Sequence, residues 1–206
     1  VLRCAVFASG GGSNFQALID RKAAGDLQVD LSLLIGNNSK AHAFERARSS
    51  GITALHIPPS GYPDEAAYTG YLISVLREHK IDIIALAGYM KKIPRSVVSA
   101  FPNRIVNIHP ALLPAFGGAG LYGEKVHQAV IDYGAKVSGI TIHFVDEEYD
   151  HGPIIFQEAV PVLDGDDAHS LAARVLTLEH ANYWRALQAI ADGAITVRNR
   201  RVFGHV

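Results

Sequence analysis

The sequence predicts an open, doubly wound α/β sheet, mostly parallel, with a late antiparallel portion. Short aliphatic runs alternate with helical patterns over about the first 110 residues, which implies right-handed strand–helix–strand crossovers. One such run, Ile81–Ala87, is almost wholly apolar, as a parallel strand covered on both faces must be. Two later runs, Ser138–Val145 and Ile154–Val162, are separated only by an acidic, glycine-containing turn and read as a hairpin-like pair.

Taken in order, Arg3–Ala8 is the first strand, and the glycine-rich Ser9–Ser13 turns it into a helix over Asn14–Ala24. In that helix Phe15, Leu18 and Ile19 recur at core-facing spacing. Val29–Ile35 is the second strand, stopped by Gly36-Asn37-Asn38. A helix over Ala41–Ser50 and a strand over Thr53–Ile57 follow, then a Pro58–Gly61 loop. Asp64–His79 is helical, with Tyr68, Tyr71, Leu72, Val75 and Leu76 on one side. Ile81–Ala87 and Arg104–Ile108 are the fourth and fifth strands. Beyond Asn107 the rhythm changes: a Pro110–Gly123 loop, a helix over Lys125–Tyr133, the hairpin-like pair, and a long helix over Leu171–Asp192.

Composition narrows the function. With 49% hydrophobic and 19% charged residues, a disordered or collagen-like chain is excluded. At roughly 150 residues per domain, 206 residues without repeats or a long linker favour a single domain spanning 1–206. The formal net charge of -1 argues against a dedicated nucleic-acid binder, which needs a basic excess to neutralise phosphates. Cys4 is the only cysteine, so neither an internal disulfide nor a C-x-x-C zinc site is available, and reducing cytosol is the natural compartment. No apolar run approaches the roughly 18–20 residues needed to span lipid. The strand-like N-terminus lacks the basic region of a signal peptide. The expectation is a cytoplasmic protein that uses neither metal, membrane nor nucleic acid.

Three segments carry candidate chemistry. Ser9-Gly10-Gly11-Gly12-Ser13-Asn14 joins a strand to a helix, where glycine amides and the helix N-terminus suit a phosphate. It is not a dinucleotide fingerprint, because Phe15 stands at the third glycine position and no acidic residue ends the second strand. No Gly-Lys-Ser/Thr follows, so it is not a P-loop. A plain tight turn with Ser13 or Asn14 capping the helix fits the same residues. The second segment is Asn107-Ile108-His109-Pro110, at the carboxyl end of the fifth strand. Alternation puts Asn107 and His109 on one face, where an amide donor and an imidazole suit a carbonyl becoming an oxyanion. A turn-closing Asn beside an exposed His is the plainer alternative. The third is Asp146-Glu147-Glu148-Tyr149-Asp150-His151-Gly152-Pro153. Four carboxylates there fit a solvated turn, but Asp150, fixed by Gly152-Pro153, could orient an imidazole, with His143 and His151 as further partners. Lys91-Lys92 reads as a solvated pair or a pocket edge, and Glu179 by itself reads as a surface helix residue.

Together with Leu86–Met90 and His143–Val145, these segments resemble, collinearly from Val6 to about Asp192, the phosphoribosylglycinamide formyltransferase family of purine synthesis. The Asn-Ile-His-Pro run and the acidic turn are shared by folate-dependent formyltransferases generally, whereas the early glycine loop points to this branch. The resemblance implies a Rossmann-like formyltransferase fold and formyl transfer from 10-formyltetrahydrofolate to the amine of glycinamide ribonucleotide. It implies Asn107, His109 and Asp150 as the catalytic trio, with His109 protonated and held so by Asp150. Gly12, Ser13 and Asn14 would hold the phosphate and Glu179 would reach the ribose. Met90, Lys91, Lys92 and Ile93, with Asp146, Glu147, Glu148 and Tyr149, would line the folate pocket. The N-terminal half is thereby expected to carry the phosphate site and the C-terminal half the folate site, in a monomer or homodimer. Departures from the family's pattern are the long glycine-rich Ala115–Gly123 loop, Glu65 where some members carry arginine, and Leu176 where some carry a polar residue. Formyl transfer to methionyl-tRNA, hydrolysis of formyl-folate, and a phosphate-sensing α/β module are the rivals. The first two resemble this core with additional domains.

Overall fold

The aliphatic runs become strands nearly where their patterns put them. A computed structural model describes all 206 residues, which fall into two compact units, Val1–Val106 and Asn107–Val206. In the first unit, β1 (Arg3–Ala8), β2 (Asp30–Gly36), β3 (Thr53–His56) and β4 (Ile83–Leu86) are parallel, with β1 between β2 and β4 and β3 outside β2. Val6 sits opposite Leu34 on one side and Ala85 on the other. All three are fully buried. This explains the unbroken apolar runs: strands covered on both faces have no solvent side to alternate with. Between β1 and β4 the strand order reverses direction, a topological switch point where open α/β sheets bind ligands.

The helices of this unit are α1 (Ser13–Ala24), α2 (Ala43–Ser49), α3 (Glu65–Glu78) and α4 (Arg95–Ala100). Asp64 caps α3 by accepting from the Ala67 N–H at 2.7 Å. Helix α4 was not predicted; six residues after Pro94 are too few to display a period. Tyr71, expected on one side of α3 with Tyr68, Leu72, Val75 and Leu76, is 47% exposed where those four are buried, and packs against Tyr62. Ile81 and Asp82 precede β4, where Asp82 still holds Arg3 at both groups: its N–H donates to the Arg3 carbonyl (2.8 Å) and its carboxylate accepts from the Arg3 N–H (2.8 Å).

β5 (Ile105–His109) runs across the boundary, so that Asn107–His109 open the second unit. There follow α5 (Glu124–Tyr133), β6 (Val137–Phe144), β7 (Ile154–Pro161) and α6 (Ala168–Ala191). β6 and β7 pair antiparallel, as expected, from Val137 opposite Pro161 to Ile142 opposite Phe156. The strand order is β3-β2-β1-β4-β5-β6-β7, a mostly parallel sheet with an antiparallel end. Helix α6 begins three residues before the predicted Leu171. Asp167 accepts from the Ser170 N–H while the Asp167 N–H donates to Ser170 Oγ, a reciprocal cap that starts the helix early. Its Leu171, Val175, Tyr183, Ala186 and Leu187 are buried. A short hairpin, β8 (Ile195–Arg198) and β9 (Arg201–Gly204), ends the chain and had no sequence signal beyond two four-residue runs. No helix is long and apolar enough to cross a membrane.

Candidate active site

In the second unit, three elements bring Asn107, His109 and Asp150 together. The last residues of β5 supply Asn107 and His109, whose side chains fall on one face because successive strand residues alternate. The loop after them is tied to β6: Thr141 Oγ1 donates to the Ala111 carbonyl (2.7 Å) and accepts from the Leu113 N–H (3.0 Å). Gln157 adds a bond to the Leu113 carbonyl at 2.9 Å. The acidic turn delivers Asp150 in a left-handed conformation, φ 50°. Two residues on, Gly152 passes so close to the Phe144 carbonyl that any Cβ would collide with it. Gly152 is therefore required by sterics, and the Asp150-x-Gly152 spacing follows from that crossing.

The Asp150 carboxylate, 12% exposed at the side chain, is shared among four groups. Oδ2 accepts from the Gly118 N–H (3.0 Å) and lies 3.5 Å from His109 Nδ1. Oδ1 lies 3.4 Å from Asn107 Nδ2 and 3.7 Å from His143 Nε2. His143 Nδ1 sits 2.8 Å from the Phe144 carbonyl and so carries a proton to donate. In the neutral ring Nε2 is then an acceptor, and it receives a hydrogen bond from Asn107 Nδ2 at 3.1 Å. That contact orients the Asn107 amide, turning its NH₂ group toward Asp150. A register shift between Ile142 and His143 in the β6–β7 ladder aims the ring there.

Burial works against charge at Asp150, but the nearby His143 and His109 and the Gly118 N–H more than offset it. The net effect holds the carboxyl below its usual range. His109 is 3% exposed, and burial lowers its pKa more than Asp150 and the Phe116 carbonyl raise it. Burial thus opposes the imidazolium expected here, while Asp150 and the Phe116 carbonyl favour it. The His109 Nε2–H donates to the Phe116 carbonyl at 2.8 Å, and Nδ1 faces the carboxylate. The ring gains a strong ion pair only when Nδ1 takes a proton. Of the alternative partners for Asp150, His143 is adjacent, whereas His151 pairs with Asp146 at 2.7 Å.

In the first unit, the Ser9–Asn14 loop leaves the carboxyl end of β1 beside the loop after β4. The Ser9 N–H donates to the Gly88 carbonyl (3.1 Å), and Ser9 Oγ accepts from the Met90 N–H (2.8 Å). Neither Ser13 nor Asn14 caps α1. The N-cap is Gly12 in the left-handed region, φ 68°, with no side-chain cap bond. A Cβ on Gly12 would come within 2.9 Å of Ala43 Cβ, so both space and conformation require glycine. Lys91 and Lys92 are exposed, Met90 is 44% exposed and Ile93 is buried.

The remaining candidates lie in the second unit. Glu179, read from the sequence as a surface residue, is 8% exposed on α6 and is corrected to a buried one. Tyr149 is 45% exposed, and Asp146 is engaged within its own turn by the Glu148 N–H (2.9 Å) and His151. Sequence reading missed His127. It is 4% exposed on α5 between buried Val126 and Val130, and burial, then the charge of His109, pushes it down to about 4. Its only sequence signal is a place in the apolar stripe of a helix.

An oriented amide, a buried imidazole and a carboxylate, at the end of a strand of an open α/β sheet, are groups that suit the transfer of an acyl-level group. The chain belongs to the formyl transferase family, whose model matches residues 2–187. It is 48% identical over 197 residues to the chloroplastic phosphoribosylglycinamide formyltransferase of Arabidopsis thaliana, covering 95% of this chain and 68% of that one. With the phosphoribosylglycinamide formyltransferase of Bacillus subtilis it shares 40% identity over 87% of this chain and 89% of the other. Among solved structures, glycinamide ribonucleotide transformylase 1 from Symbiobacterium toebii superposes with a TM-score of 0.94 at 40% identity. That match covers 100% of this chain and 95% of the other.

Proposed function

We propose that this protein transfers the formyl group of 10-formyltetrahydrofolate to the primary amine of glycinamide ribonucleotide in purine synthesis. The observation that carries the reading is the cluster of Asn107, His109 and Asp150 around one carboxylate, on a chain of the formyl transferase family. The amine attacks the formyl carbon, a new C–N bond forms, and the carbonyl oxygen becomes an oxyanion. Asn107 turns to that oxygen the N–H that otherwise points at Asp150 Oδ1 (3.4 Å), while its other N–H stays on His143. The bond from the formyl carbon to the folate nitrogen then breaks. The proton surplus on the attacking amine passes to the His109–Asp150 pair and from there to the departing folate nitrogen. His109 with Nδ1 facing an ionised carboxylate is suited to receive it, because protonation at Nδ1 forms an ion pair across 3.5 Å in a site of low polarity.

We read Gly12, Ser13 and Asn14 as the phosphate cradle and Glu179 as the ribose acceptor. Met90–Ile93 and Asp146–Tyr149 are read as the folate-lining segments, acting mainly through backbone groups, within one catalytic domain. Folate absorbance followed with formyl-folate alone and then with glycinamide ribonucleotide tests the reading. Consumption that requires the ribonucleotide is expected. Consumption without it would make the protein a hydrolase, and no consumption in either case would overturn both.

A further inference from the structure

We infer that Arg46, on α2, is a positioning residue for the phosphate of the ribonucleotide, acting by turning the peptide planes of the glycine loop. This rests on the proposed reading of Gly12–Asn14 as the phosphate cradle. Two carbonyls of the loop are drawn to α2. The Gly10 carbonyl accepts from the Ala43 N–H at 3.2 Å, and the Gly11 carbonyl accepts from Arg46 Nε at 2.7 Å. In a trans peptide the C=O and the following N–H point in opposite directions. Anchoring those two carbonyls on α2 therefore turns the Gly11 and Gly12 N–H groups away from it, on the side where α1 begins. The Gly12 carbonyl is taken by the Gln16 N–H at 2.9 Å inside the helix, which leaves the Ser13 N–H at the helix start. Three successive amides thus point out of the loop, the arrangement that binds an anion.

Arg46 is suited to this task by its fork. While Nε holds the Gly11 carbonyl, Nη1 donates to Gln16 Oε1 at 2.9 Å, so one rigid guanidinium ties the loop to the first turn of α1. Its Cδ lies 3.5 Å from the place a Gly12 Cβ would occupy, so the aliphatic stem also packs beneath the loop. Without the guanidinium the Gly11 peptide is free to rotate, and glycine offers little resistance to rotation. Arg46 also brings a positive charge to the loop that receives the phosphate. The serine side of the loop is held separately, by Ser9 Oγ donating to Asn37 Oδ1 and Asn38 Nδ2 donating to the Ser9 carbonyl. Loss of Arg46 therefore loosens the glycines without unfastening the strand end.

The test compares wild type with Arg46→Met, which keeps the stem, and Arg46→Lys, which keeps the charge but lacks the fork. In the wild type, inorganic phosphate competes with the ribonucleotide and not with formyl-folate. Arg46→Met raises KM for the ribonucleotide and the inhibition constant of phosphate by the same factor, about ten- to a hundredfold, as for loss of a charged hydrogen bond. Turnover at saturation and KM for formyl-folate stay within about twofold, since only ground-state anchoring is lost. Arg46→Lys falls between the two. The dephosphorylated substrate analogue, which has no phosphate to place, is used equally well by all three. If phosphate fails to compete in the wild type, the cradle reading fails and the inference with it. If phosphate competes but Arg46→Met leaves both constants unchanged, or lowers turnover on both substrates alike, the cradle stands and the role of Arg46 is overturned.

Discussion

Replacing Asp150 by Asn keeps the size of the side chain, removes its charge and turns one oxygen into an NH₂ group. The surviving oxygen can accept from the Gly118 N–H, now 3.0 Å away, but the NH₂ then faces Asn107 Nδ2, 3.4 Å from it and also a donor. Alternatively the oxygen faces Asn107 and the NH₂ opposes Gly118. Either way one partly buried donor loses its acceptor, which costs about 1–3 kcal/mol of stability. The catalytic loss is larger. An imidazolium at His109 would sit 3.5 Å from the carboxylate, and two unit charges at that distance attract by about 5 kcal/mol at an effective dielectric of about 20. Desolvation and solvent screening reduce this gross figure, so turnover should fall about 10²–10⁴-fold, the span of a lost acid–base partner. The His109 pKa should fall further, because burial then acts with less opposition. The wild-type carboxyl is held below its ordinary value, so its stabilisation is present above a pH of about 4 and lost as pH falls through the lowered pKa. The variant should lack that acid-side loss. Folate absorbance read across pH, with urea unfolding at each pH, measures both effects. Near-wild-type turnover would refute the reasoning, as would losses that simply multiply in His109→Ala/Asp150→Asn, since groups acting on one transition state are not additive.

Gly12→Val should raise KM for the ribonucleotide at least tenfold, without changing KM for folate, and should cost about 1–3 kcal/mol of stability. A β-branched residue would have to adopt φ 68° with Ala43 2.9 Å from its Cβ. Isothermal titration with each substrate and thermal melts check it, and an unchanged ribonucleotide affinity would remove the loop from the site. Glu179→Gln should weaken ribonucleotide binding by about 1.5–3 kcal/mol; a large loss of melting temperature with unchanged affinity would make this buried residue purely structural. His127, about 4 in the native protein against about 6.5 unfolded, should make the protein lose about 3 kcal/mol as pH falls from about 6.5 to 4, because the unfolded chain takes the proton first. His127→Phe should flatten that limb in urea midpoints taken at several pH values, and an unaltered slope would show that the ring is not the group responsible.

Local pattern carried most of the fold. The strands β1, β2 and β4 were legible because a strand covered on both faces is apolar along most of its length, and Gly36-Asn37-Asn38 or Pro58–Gly61 mark the breaks. Asn107 and His109 were legible as a pair because alternation along one strand is a local rule. Elements too short to complete a period, α4 and the β8–β9 hairpin, left no such trace. Tyr71 and Glu179 each sat on the other side of the surface from their expected place, since a helix wheel says which residues share a face but not what covers that face.

The sequence by itself therefore determined the order of the longer elements, the glycine loop, and the residue types of the site together with its family. Only the tertiary structure decided that His143, and not His151, reaches Asp150 and orients Asn107, because a register shift in β6–β7 and the close crossing at Gly152 bring those residues to one point. It also decided how far burial opposes a charge on His109 and how closely Asp150 supports one. A histidine's charge depends on how much water the surrounding chain removes against how close one carboxylate comes. Burial and distance are properties of residues far apart in the sequence, and no local pattern encodes them.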